Sequence, residues 1–166
     1  GVFIMLKENY DFMMPNVNFF GPGVGKKVGE RARMLAMEKV LIVTDQFLNE
    51  LEDGPVDQVE KSLQEAGVDY VIYDGVEPNP KIANVEEGKK IYLDNACDSI
   101  ISVGGGSPHD CAKGIGIVLT NGEDVTALAG IETLEHPLPP LMAVNTTAGT
   151  ASEITRHAVL TNEKTK

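Results

Sequence analysis

The sequence is short of several things, and each shortage excludes a class of protein. Only two of its 166 residues are cysteine, Cys97 and Cys111, too few for a disulfide framework and a usage that suits a reducing compartment. Apolar runs are brief, as in Val40–Val43, far from the roughly 18 residues that a membrane helix needs. Positive charge is scarce: 14 Lys and Arg stand against 25 Asp and Glu, a formal net charge of −11. A broad basic face for a nucleic-acid backbone is therefore excluded. The opening residues Gly1–Leu6 lack the basic start and apolar length of a secretory signal. There is no low-complexity stretch, no block of like charge and no repeat beyond a strand–helix period. The expectation is an acidic cytoplasmic domain with neither nucleic acid nor membrane as partner. Its hydrophobic share of 42% and charged share of 23% are those of an ordinary globular domain.

What is present is an alternation. Four apolar, β-branched runs recur every thirty to forty residues or so: Val40–Thr44, Tyr70–Tyr73, Ser99–Val103 and Leu141–Val144. Their apolar residues stand next to one another instead of alternating, as in strands covered on both faces. Between them, Val56, Val59, Leu63 and Ala66 follow helical spacing and stop at Gly67, a suitable residue just past a helix end. Ile82–Asn95 and Pro108–Leu119 read as further helices, as does the stretch Lys26–Met37. Val17–Phe20 reads as an edge strand that can pair across a dimer. Strand–helix–strand units at this spacing predict an α/β fold with a parallel sheet and flanking helices.

One junction stands out. The run Ser99–Val103 passes into Gly104-Gly105-Gly106 and then into Ser107-Pro108-His109-Asp110. Ser107 is placed to be the N-cap, Pro108 the first helical residue and Asp110 the capping-box partner. Three glycines clear side chains from the turn, so a ligand can reach backbone N–H groups at a positive helix end, an anion site. Lys113, one turn in, can add a full charge. The spacing matches neither G-x-x-x-x-G-K-[ST] nor G-x-G-x-x-G, and an ordinary capped turn is the competing explanation. A second loop, Asn145–Thr155, follows the fourth strand and carries Thr146, Thr147 and Thr150, whose hydroxyls can donate to phosphate or ribose oxygens. Thr150 and Glu153 can equally form a plain capping box. Asp45, after the first strand, suits ribose hydroxyls and would repel a 2′-phosphate, or it simply caps a helix. Two such loops at strand carboxyl ends favour a dinucleotide over a single phosphate.

Together, Val103–Asp110, Asn145–Glu153 and Val43–Asp45 resemble the iron-dependent (group III) alcohol dehydrogenases. Pro15–Gly21, Glu77–Lys81 and Gly130–Leu134 look most like the 1,3-propanediol dehydrogenase branch, near the methanol dehydrogenases of bacilli. The resemblance implies a two-domain, dehydroquinate-synthase-like enzyme that passes a hydride between NAD and a small alcohol or aldehyde, assembled as a homo-oligomer. Residues 1–166 would all belong to its Rossmann-like NAD-binding domain. Fe²⁺ or Zn²⁺ would sit on one Asp and three His of a helical domain absent from this chain. By motif match, Gly104, Gly105, Gly106 and Ser107 would hold the pyrophosphate, with Asp110 and Lys113 close to the cofactor. Thr146, Thr147 and Thr150 would line its other side, Asp45 would meet the adenosine ribose and favour NAD over NADP, and Asn79 would border the cleft. His109, His136 and His157 show no helical pairing suited to a metal, so neither a metal ligand nor a catalytic acid or base is expected here. The chain stops soon after Ala158-Val159-Leu160, so about half of a longer enzyme is expected, able to hold NAD but not to turn over alone. Other members of the superfamily, such as glycerol dehydrogenase or dehydroquinate synthase, are the alternative, as is a free-standing nucleotide-binding domain. The threonine-rich loop and the Asn-Pro turn favour the iron alcohol dehydrogenases.

Overall fold

Each of the four apolar runs forms a strand: β1 (Lys39–Val43), β2 (Asp69–Tyr73), β3 (Ser99–Gly104) and β4 (Leu141–Asn145). The computed structural model describes residues 23–122, 136–153 and 158–162. The expected edge strand Val17–Phe20 and His157 lie outside them. The strands make one parallel sheet in the order β2-β1-β3-β4, with Val40 opposite Tyr70 on one side and Ser99 on the other. β3 is paired on both flanks and buried along its whole length, which is why its sequence is apolar without alternation.

Successive strand residues enter opposite layers. Leu41, Val43 and Ile100 join one core with Val85, Ile115 and Val118, from helices α4 (Ile82–Asp94) and α5 (Gly106–Asn121). Val40, Ile42, Ile101 and Val103 join a second core with Val28, Val56, Val59 and Leu63, from α1 (Val28–Met34) and α3 (Pro55–Ala66). Each fully buried Ile or Leu contributes about 1.5–3 kcal/mol, so the sheet is held from both faces. A four-residue helix, α2 (Gln46–Asn49), follows β1. Among the described residues no helix is long and apolar enough to cross a membrane.

Two helix boundaries differ from expectation. The stretch read as a helix from Lys26 to Met37 is a 3₁₀ turn, Val24–Lys27, followed by α1, which ends at Met34. Ala36, at a left-handed φ of 55°, breaks the coil before β1. α5 begins at Gly106, its N-cap is Gly105, and no side chain caps it. Ser107 and Pro108 therefore lie inside the first turn, where proline's missing N–H costs nothing, and the Ser107–Asp110 capping box does not form. By contrast, α3 ends as read, with Gly67 left-handed at φ 68° and its N–H on the last turn's carbonyls.

The α1–α3 contact is close-packed around a glycine. A Cβ at Gly29 would stand 1.9 Å from the Ser62 carbonyl oxygen. Gly29 N–H also donates to Ser62 Oγ at 2.9 Å, and that hydroxyl donates to Lys26 O at 2.8 Å. Gly29→Ala is expected to destabilise the domain by about 1–3 kcal/mol, the usual cost of forcing atoms into a packed interior, outweighing alanine's helix preference. Urea denaturation would read this as a lower midpoint at unchanged slope.

Candidate functional site

The strand order fixes where a ligand can enter. From β1 the chain runs outward to β2 and then returns past β1 to β3, so the connections leave β1 and β3 in opposite directions. The crevice beyond the carboxyl ends of those two strands is the binding position of open α/β sheets. The segments there are Thr44-Asp45 after β1 and the turn Gly104-Gly105-Gly106 that leads from the end of β3 into α5.

Gly104 turns the chain at φ +145°, and a side chain there would strike Pro108 Cγ at 2.6 Å; both require glycine. Gly105 and Gly106 meet the threonine loop. A Cβ on Gly105 would lie 2.9 Å from Thr147 Oγ1, and one on Gly106 would lie 2.9 Å from Thr150 Cγ2 and 3.1 Å from its Oγ1. The two loops are therefore seated against each other with no side chain on the glycine side. A main-chain bond from Thr146 N–H to Gly104 O, 2.9 Å, continues the β3–β4 ladder into the loops. Thr146, Thr147 and Thr150 are exposed, while Gly105, Gly106 and Ser107 are half-buried. Bare backbone at a helix start and exposed hydroxyls share one wall, a cradle suited to an anion.

The other expected residues gather around this wall. Asp45 is the N-cap of α2, and its carboxylate accepts from Leu48 N–H at 3.0 Å. Leu48 in turn approaches the glycine turn, its Cδ1 3.2 Å from a Cβ at Gly104. The Thr44 hydroxyl is buried with no partner among the described residues. Asn79, left-handed at φ 56°, donates its N–H to Ser107 Oγ at 3.3 Å. The hydroxyl read as a cap thus ties the Pro-Asn-Pro turn to α5. Asp110 accepts from Ser152 Oγ at 2.5 Å, and Lys113 Nζ donates to the same hydroxyl at 3.0 Å and meets Asp110 at 3.4 Å. Burial pulls the Lys113 ammonium below the usual lysine value against the opposing pull of Asp110. Both side chains anchor the far end of the threonine loop. Thr150 Oγ1 accepts from Ser152 N–H at 3.4 Å, a local turn where a capping box with Glu153 was the alternative.

Sequence reading missed the residues that hold the near end of that loop. His109 is 1% exposed. Its Nδ1 lies 2.7 Å from Ser102 Oγ on β3 and its Nε2 3.4 Å from Asn145 Oδ1 at the end of β4. Asn145 binds the Thr147 main chain through both amide atoms, donating to Thr147 O and accepting from Thr147 N–H. Burial holds the imidazole below the usual histidine value, so it is neutral at pH 7. Although a Ser–His–Asn chain is the order of a nucleophile relay, Ser102 is buried completely and faces no cleft. The available signal was Ser102, a hydroxyl inside a strand otherwise apolar on every inner position. The two cysteines are also inert: Cys97 and Cys111 are buried, and burial pushes the Cys111 thiol up to about 12.

The sequence and fold have relatives among known proteins. The chain is 58% identical over 157 residues to the 1,3-propanediol dehydrogenase of Citrobacter freundii, covering 95% of this chain and 41% of that protein. It is 40% identical to the NAD-dependent methanol dehydrogenase of Bacillus methanolicus over 94% of this chain and 40% of that one. The solved alcohol dehydrogenase of Oenococcus oeni superposes with a TM-score of 0.91 at 66% identity, over 95% of this chain and 41% of its own length. The chain thus spans about two fifths of the relatives it matches. The sequence model of iron-containing alcohol dehydrogenases matches residues 15–166, and the chain belongs to that family.

Proposed function

We propose that this chain is the dinucleotide-binding part of an NAD-dependent oxidoreductase that interconverts short alcohols or diols and their aldehydes. The observation that carries this reading is the seat of the threonine loop on bare Gly105 and Gly106, at the reversal of strand order and at a helix start. The pyrophosphate would meet the backbone N–H groups around Gly104, Gly105, Gly106 and Ser107 and the positive end of α5. The hydroxyls of Thr146, Thr147 and Thr150 would donate to phosphate or ribose oxygens from the facing loop. Asp45 has a second carboxylate oxygen beyond the one that caps α2 and would accept from the adenosine ribose, while its charge disfavours a 2′-phosphate. Asn79 would border the cleft through its link to Ser107. Asp110 and Lys113 would act by holding the loop that closes over the cofactor.

When bound, NAD supplies the hydride chemistry; the residues of this chain bind and orient it. Among the described residues no three His, Cys, Asp or Glu side chains form a cluster able to hold a metal. They do not fit the Fe²⁺ or Zn²⁺ that the resemblance implies. The relatives named for 1,3-propanediol and for NAD-dependent methanol oxidation support a small alcohol or aldehyde substrate and NAD. The same reading takes the protein to be a cytoplasmic homo-oligomer.

NADH titration followed by nucleotide fluorescence should show saturable binding. Gly105→Val, whose side chain would take the space of the Thr147 hydroxyl, should weaken it by about tenfold or more. The full-length protein should oxidise NADH with 3-hydroxypropionaldehyde or butyraldehyde. Absence of NADH binding, or binding without turnover of any short aldehyde, would sink the respective half of the proposal. Asp45→Ser keeps an N-cap for α2 but removes the charge. It should shift the ratio of NADP to NAD affinity by about tenfold toward NADP, and an unchanged ratio would remove Asp45 from cofactor choice.

A further inference from the structure

Asn145 faces His109 with a fixed orientation. Its amide nitrogen donates to Thr147 O, so Oδ1 is the atom turned toward the imidazole. An acceptor at that position requires the proton on Nε2, which leaves Nδ1 to accept from the Ser102 hydroxyl at 2.7 Å. One neutral tautomer satisfies both ends, and no other partner of the ring exists among the described residues. The charged groups acting on the ring are Asp110 and Lys113 on its own helix and Glu153 on the loop after β4. Ser102 on β3 and Asn145 on β4 are neutral. The ring therefore bridges three elements: β3 through Ser102, α5 through its own backbone and β4 through Asn145. The amide it holds is the one that grips the main chain of Thr147, whose hydroxyl lies over Gly105.

We infer that His109 is a positioning residue for dinucleotide binding. Its Nε2–H orients Asn145, and Asn145 sets the height of Thr147 over the glycine turn. The role rests on the cofactor reading above but does not follow from it, since a cofactor could bind a loop held only by Lys113, Asp110 and Ser152.

Two near-isosteric variants separate the ends of the ring. In His109→Gln the amide nitrogen reaches the position of Nε2 and keeps the bond to Asn145. In His109→Asn the shorter side chain reaches only the position of Nδ1 and Ser102. NADH affinity, measured by titration calorimetry on the protein, should fall about tenfold in His109→Asn, the scale of one hydrogen bond that orients a binding group. It should stay within about threefold of wild type in His109→Gln, although both variants lose one buried bond and comparable thermal stability. Asn145 is exposed, so Asn145→Ala leaves the core intact; it should weaken NADH as much as His109→Asn, and the double variant no further. Equal losses in the Gln and Asn variants that track their melting temperatures, or additive losses in the double variant, would overturn the inference. A wild-type protein that does not bind NADH would overturn the cofactor reading and this role with it. Wild-type binding with undiminished binding in His109→Asn would overturn this role alone.

Discussion

Everything at the carboxyl edge is referred to β3. Among the described strands it is the one buried along its whole length, clamped by α4 and α5 on one face and by α1 and α3 on the other. A strand fixed in this way delivers Gly104 to a set position, and the N-terminus of α5 follows two residues later. The neighbouring strands take their register from it, Val40 beside Ser99 and Ile100 beside Leu141. Their carboxyl ends consequently emerge level with the glycine turn. The loops do not find one another by chance: the two-faced apolar burial of Ile100, Ile101 and Val103 brings them within hydrogen-bonding reach.

The proposed site also bears on how a chain of net charge −11 would attract an anion. The lysine nearest the turn is not a free cation above the crevice. Lys113 is buried on Ser152 and Asp110, and that carboxylate offsets much of its charge. Attraction would therefore rest on oriented backbone dipoles at the start of α5. Such dipoles act within the first turn and leave the outer surface acidic.

Much of this was legible because it is local. Continuous apolar runs mark strands buried on both faces, so all four appear in the sequence within one residue of their observed ends. Gly67 marks the end of α3 because a left-handed residue is needed there. The three glycines marked the turn, since nothing else explains their adjacency. What the sequence hid is set by contacts between distant residues. Ser102, His109 and Asn145 stand seven and thirty-six residues apart and leave no periodic trace. The start of α5 was misread for the same reason. Ser107 has the local chemistry of a cap, but the helix winds back to Gly106, where the threonine loop fills the space a side chain would need. The hydroxyl of Ser107 is then taken by Asn79, a partner twenty-eight residues away.

Several of the bonds that join the site's loops draw on main-chain atoms. Thr146 N–H meets Gly104 O, and the N–H of Asn79 meets the Ser107 hydroxyl. The first of these, made of peptide groups at both ends, does not depend on which side chains flank it. Side chains can therefore change along the outer faces of these loops without parting the two strand ends that carry them. The spacing of the two loops is thus inherited from the sheet's own ladder and not from the residues that decorate it.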